Sequence, residues 1–550
     1  MGLQLLPTEI LARIGQETLP EGFESFALTC KSTYNASKFF LPKHDDLKQK
    51  YRNFTYQQGP GGNTCTSSLL LLARIAEEPL IARYIVSADL VQDSGPGDEN
   101  IREQHIATVV SSNILSLFQN SIYVQRASVD PAVLLQYMLN AYQVDDGFTH
   151  GGLAACFLLT LLPNVNSLAL PERWNDYDPK LLYYNLETPW KLDDLLDSIA
   201  IWANDPNQPN AGLSRLEVIL PSTSWGYDNR WTLSSFNPLL SIKSVRSFCA
   251  GSCRAIDDGY TGVAFEAPRL ESFGSGLENV ELVGSVVDDI ELRKFLSRVP
   301  KLRSFKLSYE VKWHGCGHEA DCGAIMKAIE DEVGDTLEEL SFSLMDDWCP
   351  IESDIESMKK FKKLKRVELE LGLLIGSQDH ENQVGTEGNI PRQRLASVLP
   401  PTIERLSLLV EDTDNRDTND HLNFLFGDIA ADLTKGSETF PNLKEITFRT
   451  KPNLTSQPLD EQVLSLDGFK RQLNGEESAS SPTRDLEDTE TAKTSQGNSV
   501  DRTWIEDLKA VDAFIQISII KVGSPTMSGD QIVLPQFMAD FCNRYGVESF

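Results

Sequence analysis

Four side chains within nine residues are the strongest candidates for chemistry in this 550-residue chain: His314, Cys316, His318 and Cys322. Imidazole and thiolate are the ligands zinc prefers, and two of each would close a tetrahedral site. The spacing, His-x-Cys-x-His-x-x-x-Cys, departs from that of fingers and ribbons, and no second cysteine pair lies at a supporting distance. The sequence therefore favours a Gly-rich loop over a metal centre, and no cofactor is expected. Cys249-x-x-x-Cys253 reads as ordinary buried cysteine. His150-Gly151-Gly152-Leu153 is similar to the oxyanion turn of esterases, but the Gly-x-Ser-x-Gly elbow that such a turn serves is missing. There is no phosphate-binding Gly-x-x-x-x-Gly-Lys and no His-Glu-x-x-His. The carboxylate pairs Asp288-Asp289 and Asp346-Asp347 sit beside strand ends, where acidic residues serve solvated turns. These absences leave no catalytic constellation, and the chain is expected not to be an enzyme.

The elements around these candidates repeat. From Leu161 onward, short strands recur with the pattern apolar-x-x-apolar-x-apolar. Pro163–Leu170 is the first, followed by Leu213–Val218 and a weaker Val245–Phe248. Leu277–Leu282, Leu302–Leu307, Leu337–Phe342, Leu364–Leu369, Ile403–Leu408 and Leu443–Phe448 complete the set. Helical stretches such as Asp288–Val299 and Ala324–Val333 lie between them. A strand and a helix at varying intervals of a few tens of residues predict an α/β fold built as an irregular leucine-rich-repeat-like solenoid, because one repeat cannot bury its own apolar ridge. A doubly wound α/β domain also alternates strand and helix, but no strand here is followed by a Gly-rich phosphate turn. Upstream, helices are expected at about Ser68–Ile75, Ile101–Phe118 and Pro131–Gln143, with a helix running into a strand over Pro79–Leu90.

Charge narrows the class of partner. Fifty basic against eighty acidic residues give a formal net charge of −30, which repels phosphate backbones and argues against nucleic-acid binding. Nine scattered cysteines do not form a disulfide framework. The first residues lack a basic stretch, and Leu153–Leu162 is about half the length a membrane span needs. The expectation is a reducing cytosol or nucleus, with no membrane association. Asn474–Ser499 carries a single large aliphatic, Leu486, and is expected to be disordered. Beyond it, Trp504–Val522 and Gln531–Phe550 recover apolar periodicity and are expected to cap the repeats, with Phe537, Phe541 and Tyr545 on one helical face.

Leu5–Leu41 organises the rest. Pro7 fixes its own φ, Thr8 can cap, and Ile10, Leu11 and Ile14 share a helical face. After a turn at Pro20-Glu21-Gly22, Phe23, Phe26, Ala27 and Cys30 form a second apolar set. So short a helical run buries too little to stand alone and needs a partner surface. Leu6-Pro7-x-Glu9-Ile10-Leu11-x-x-Ile14, followed by Phe26-Ala27-Leu28-Thr29-Cys30-Lys31-x-x-Tyr34, resembles an F-box. The continuation His44-Asp45-Asp46-Leu47-Lys48-x-x-Tyr51-Arg52 resembles that of filamentous-fungal F-box proteins.

The resemblance implies that these helices dock on a Skp-family adaptor, and through it a cullin scaffold, in a ubiquitin ligase. The implied docking residues are Leu6, Pro7, Ile10, Leu11, Ile14, Phe23, Phe26, Leu28 and Cys30, with Ala27 beneath them. The repeats would then hold a protein substrate through outward side chains of their strands. Glu281, Lys306, Ser341, Glu368, Ser407 and Thr447 are the candidates. The expected organisation is an F-box helical domain over 3–50, a helical linker over 51–160, repeats over 161–450, an acidic loop over 451–503 and a C-terminal cap over 504–550. A repeat scaffold acting outside any ligase is the alternative.

Overall fold

A computed structural model of the chain describes residues 3–56, 65–93, 99–143, 152–171, 174, 191–221, 231–257, 262–310, 320–345, 351–353, 355–375, 395–410, 440–450, 462–464, 516–521, 523–525, 531–533 and 535–545. The chain is a mixed α/β protein with extensive parallel sheet, and it divides into two compact units. The first comprises Met1–Ser224, Thr232–Gly251 and Glu266–Glu278, and the second Trp225–Trp231, Ser252–Phe265 and Asn279–Phe550.

The first unit opens with α1 (Thr8–Glu17), α2 (Phe23–Leu28), α3 (Lys31–Ser37) and α4 (Leu41–Tyr51). Pro7, not Thr8, occupies the cap position of α1. Its carbonyl accepts the N–H groups of Ile10 and Leu11 at 3.1 Å, so Thr8 is already inside the helix. Leu11, Phe26 and Ala36 form a small core, with Ala12 and Ile14 against it. Then come β1 (Asn53–Thr55), α5 (Ser68–Glu77), α6 (Leu80–Tyr84) and β2 (Ser87–Asp89). The start of α5 is tied down twice. Ser67 caps Leu70, and the Asp93 carboxylate accepts the Ser68 N–H at 2.9 Å and also its hydroxyl, which lies 2.7 Å from the Tyr56 hydroxyl. Burial there pushes the Asp93 carboxyl up to about 6, despite the opposing hydrogen bonds from Ser68.

The single helix expected over Ile101–Phe118 is two, α7 (Glu99–Ser111) and α8 (Ile114–Gln119). Two hydrogen bonds mark the break, one local and one distant: the Ser112 hydroxyl donates to the Val109 carbonyl at 2.7 Å, and Glu77 takes the Asn113 N–H at 2.8 Å. α9 (Ile122–Ala127) and α10 (Pro131–Gln143) follow, the latter as expected, and then α11 (Gly152–Leu159), β3 (Ser167–Ala169), α12 (Leu192–Ala203) and β4 (Val218–Leu220). A two-residue strand, β5 (Trp231–Thr232), precedes α13 (Asn237–Leu240) and β6 (Ser247–Gly251). Strands β1, β2, β3, β4 and β6 pair in parallel in that order. The apolar α11, too short for a bilayer, is buried from Ala154 to Leu159.

In the second unit, β7 (Cys253–Ala255) pairs with β8 (Asn279–Val287), and α14 (Asp289–Leu296) follows. β9 (Ser304–Tyr309), α15 (Cys322–Val333), β11 (Glu339–Leu344), β13 (Arg366–Glu370), the one-turn helices α16 (Gly372–Ile375) and α17 (Leu395–Val398), β14 (Arg405–Val410), β15 (Glu445–Thr450) and β17 (Gln516–Lys521) continue it, with β16 (Gln462–Leu464) antiparallel on β17. The short strands β10 (Ala320–Asp321) and β12 (Ile351–Ser353) make a separate pair. The strands from β8 to β17 are parallel neighbours in chain order, β16 apart.

Each strand of this unit begins two residues later than its sequence pattern suggests, at 304 rather than 302 and at 339 rather than 337. The leading aliphatic of each pattern lies just ahead of its strand with its side chain buried, and most are held in a turn, as where Leu302 N–H reaches the Val299 carbonyl at 3.2 Å. Within the strands, alternation sorts the side chains cleanly. Val280, Phe305, Leu340, Val367, Leu406 and Ile446 form one buried apolar row, and Leu282, Leu307, Phe342, Leu369, Leu408 and Phe448 the next. The opposite face is polar. Just before the strands, Arg303, Glu338, Lys365, Glu404 and Lys444 alternate in sign, with Arg303–Glu338 at 2.6 Å, Glu338–Lys365 at 3.5 Å and Glu404–Lys444 at 2.6 Å. Each also donates its backbone N–H to the carbonyl of the one before, at 2.7–2.9 Å.

Candidate interaction surfaces

The N-terminal helices divide the residues expected to dock. Leu11, Phe23 and Phe26 are buried, as is Ala27, so they build the cluster rather than its surface. Leu6, Pro7, Ile10 and Leu28 are exposed, Leu28 by 80%, while Ile14 and Cys30 are half-buried. Leu5, Tyr34 and Phe39 add to the exposed apolar set, Phe39 by 86%. Tyr34 belongs to the recognised pattern, but nothing in the helical spacing marks Leu5 or Phe39, which lie outside the regular helices that periodicity detects. A shallow depression lined by Ala27, Leu28, Cys30, Lys31, Tyr34 and Asn35 sits on this surface. Of the exposed apolar set, Leu28 and Tyr34 meet at this depression.

Cys30 has a structural task here. Its thiol stands ahead of α3 in a reciprocal cap, with the Thr33 hydroxyl accepting the Cys30 N–H at 3.0 Å. The Thr33 side chain and N–H hold the thiol below the usual thiol range.

Ionic and aromatic contacts secure the helices from behind. The buried His44 of α4 places Nδ1 2.8 Å from the Tyr84 hydroxyl and Nε2 3.3 Å from Glu24, with its ring against Phe23. Lys48 also binds Glu24 and, followed by His44, holds that carboxyl below its ordinary range. Glu21 meets Arg83 and accepts from Asn164 Nδ2 at 2.6 Å. Burial pushes Glu21 up, but Asn164 and Arg83 outweigh it, leaving the carboxyl below the usual range.

The six strand residues expected to face a substrate form one register row: Glu281, Lys306, Ser341, Glu368, Ser407 and Thr447 lie side by side across successive strands. The row is wired together. Lys306 Nζ lies 3.3 Å from Glu281 and 3.5 Å from Glu339. Ser341 and Ser407 each donate a hydroxyl to Glu368 at 3.0 Å. Burial raises the Glu339 carboxyl, but Arg366, at 2.8 Å, and Lys306 outweigh it and hold it below the ordinary range. Ser341 and Glu368 are buried rather than open, because a helix covers them: α18 (Gln536–Tyr545). Its first N–H, from Gln536, donates to both oxygens of Glu368 at 3.0 and 2.9 Å. Gln536 Oε1 accepts from Arg449 Nη1 at 2.7 Å, and Arg544 reaches Glu281 at 3.0 Å. The helix lies on the polar face of the strands, and of its expected apolar stripe Phe537 is buried, while the side chains of Phe541 and Tyr545 lie outside the described residues.

Of the candidate metal cluster, His314, Cys316 and His318 lie outside the described residues, and Cys322 is buried at the first turn of α15. Among the described residues no group of three or more His, Cys, Asp or Glu side chains converges as a metal site. Cys249 and Cys253 are buried, as the sequence leads one to expect. Asp288 caps α14, accepting the Glu291 N–H at 2.7 Å, and burial raises its carboxyl despite that bond. His150, Asp346-Asp347 and Asn474–Ser499 lie outside the described residues. Among the described residues no helix is long and apolar enough to cross a membrane. No family model matches this sequence, and no curated protein matches it.

Proposed function

We propose that this chain is the substrate-recognition subunit of a Skp–cullin–F-box ubiquitin ligase, with the N-terminal helices docking on a Skp-family adaptor and the parallel repeats holding a protein substrate. The observation that carries the reading is the exposed apolar set Leu5, Leu6, Ile10, Leu28, Tyr34 and Phe39 on the helices whose sequence resembles an F-box. Burying such a set against a partner removes roughly 25 cal/mol of unfavourable hydration per Å². The buried Leu11, Phe23 and Phe26 serve as the frame that presents it. In the second unit, one apolar and one polar strand face, with each repeat joined to its neighbour in register, support a leucine-rich-repeat-like solenoid over a doubly wound sheet, whose strands are apolar on both faces. The protein then supplies proximity, and the acyl-transfer chemistry belongs to other subunits.

One observation favours the second reading, a repeat scaffold outside any ligase. The contacts of His44 with Tyr84, and of Glu21 with Arg83 and Asn164, make the same helices an integral end of the first unit. Co-purification of the intact chain with a Skp-family adaptor separates the two. A one-to-one complex that Leu28→Glu abolishes, in a chain whose melting is unchanged, supports the ligase; a folded chain that captures no adaptor leaves the scaffold.

A further inference from the structure

The polar strand face of the second unit carries features that a solvent-facing sheet surface does not need. Ser341, Glu368 and Arg449 are buried on it, although it points away from the apolar core rows. What buries them is α18, and the contacts fix how that helix lies. Its first residue is held over β13 and β15 by Glu368 and Arg449, and Arg544, eight residues on, is held over β8 by Glu281. Eight residues of helix advance about 12 Å. The step from β13 through β11 and β9 to β8 is three strand spacings, about 14 Å. The helix therefore crosses four strands side-on, and the two anchors match its length.

We propose that this face is a receptor for an amphipathic helix, which α18 occupies in cis, and that the partner it accepts in trans is a helix of the same chemistry. That chemistry is readable from the anchors. The partner offers unpaired N-terminal N–H groups to the Glu368 carboxylate, as a helix start does. Its first side chain is a hydrogen-bond acceptor, as Gln536 is for Arg449. Its next positions are apolar, as Phe537, Met538 and Ala539 are, all buried. A basic residue eight positions after the first meets Glu281, as Arg544 does. An acidic residue in that last place is repelled.

Polar anchors of this kind set orientation and register more than strength. The Arg544–Glu281 pair is part-exposed and screened by solvent. Arg449 and Glu368, 3.9 Å apart, are buried charges whose attraction largely offsets their desolvation. The cis helix is held by the burial of Phe537, Met538 and Ala539 and by belonging to the same chain, which raises its effective concentration at the face. A free helix with the same anchors competes on equal contacts once it is present at comparable concentration or makes one contact more. The inference rests on the ligase reading only in naming that partner a substrate; the helix-binding face stands without it.

The test uses the full chain and a fluorescein-labelled peptide of residues 534–550 carrying Cys542→Ser, read by fluorescence anisotropy. Three chains are compared: unmodified, Arg544→Glu, and Arg544→Glu with Glu281→Arg. Arg544→Glu sets two acids together and loosens the cis helix, so the peptide binds that chain at least about tenfold tighter than the unmodified one, a difference of about 1.4 kcal/mol. The double variant restores the ion pair with its signs exchanged, so peptide binding falls back. A peptide that binds none of the three chains at about 100 µM, a range reached by weak helix-groove contacts, overturns the proposal, as does binding equal across all three. Adaptor co-purification from the same preparations reads the ligase proposal separately, since neither substitution touches the N-terminal helices.

Discussion

Glu368 and Gln536 stand 168 residues apart in the sequence, yet both oxygens of the one carboxylate receive the single backbone N–H of the other, at 3.0 and 2.9 Å. A helix start is thereby capped from a neighbouring strand rather than from its own preceding residue. Glu368→Gln keeps the volume and one acceptor oxygen but removes the charge that favours a helix N-terminus. The expected cost is at least about 1 kcal/mol, felt by α18 and by Ser341, Ser407 and Arg449, which share the carboxylate. Hydrogen exchange checks it: the amides of Gln536–Asp540 should lose protection while those of β9 and β11 do not.

The N-terminal helices should separate binding from stability. Leu28 is 80% exposed and Leu11 is 2% exposed. Leu11→Ala should destabilise the first unit by about 2–5 kcal/mol, because the cavity opens beside Phe26 and Ala36. Leu28→Ala should leave the melting temperature within error and weaken adaptor capture. Paired thermal melts and pull-downs report both; a Leu28→Ala chain that melts early would assign that side chain to the core.

The Asp93 carboxyl ties down the start of α5 with its pKa pushed up to about 6. A carboxyl whose folded value lies above its unfolded one, near 4, stabilises the fold fully below about pH 4, and that contribution is lost as pH rises through 6. Asp93→Asn keeps an oxygen for the Ser68 N–H and removes the titration. Urea unfolding at about pH 4.5 and pH 7 should then show the variant losing less stability than the parent over that interval. An equal loss in both chains would remove Asp93 from the account.

Glycines at one position of two repeats, Gly212 and Gly276, precede the buried Leu213 and Leu277. A Cβ on Gly276 would stand 2.3 Å from the Lys243 carbonyl oxygen and 2.7 Å from that of Val245, and one on Gly212 would stand 2.2 Å from the Leu159 carbonyl oxygen. Backbone, unlike a side-chain tip, has nowhere to move. Gly276→Ala should cost about 1–3 kcal/mol, visible as an earlier urea midpoint, whereas Ser275→Ala beside it should cost little.

The strand series was legible because the apolar-x-x-apolar-x-apolar pattern is rigidly periodic, and the α/β class and the row from Glu281 to Thr447 followed from it. The two-residue offset of the strands was not, since a buried Leu in a turn and a buried Leu in a strand look alike in sequence. The break in the helix at Ser112 depends on Glu77, thirty-six residues away, which no local propensity encodes. Leu11 lies on the apolar face of its helix and Leu28 off the face set by Phe23, Phe26, Ala27 and Cys30, but the F-box resemblance put both among the docking residues and so hid their different exposure. Nothing in Glu368 alone announces that a helix start from the far end of the chain will sit on it.

The alternating row Arg303, Glu338, Lys365, Glu404, Lys444 constrains how such a chain changes length. Deleting one strand-and-helix module brings like charges together at the junction, as Arg303 beside Lys365 would be if the Glu338 module were lost. Deleting two in succession restores opposite signs. Growth and shrinkage by even numbers of modules leave this seam neutral, and odd steps require a compensating charge reversal at its edge.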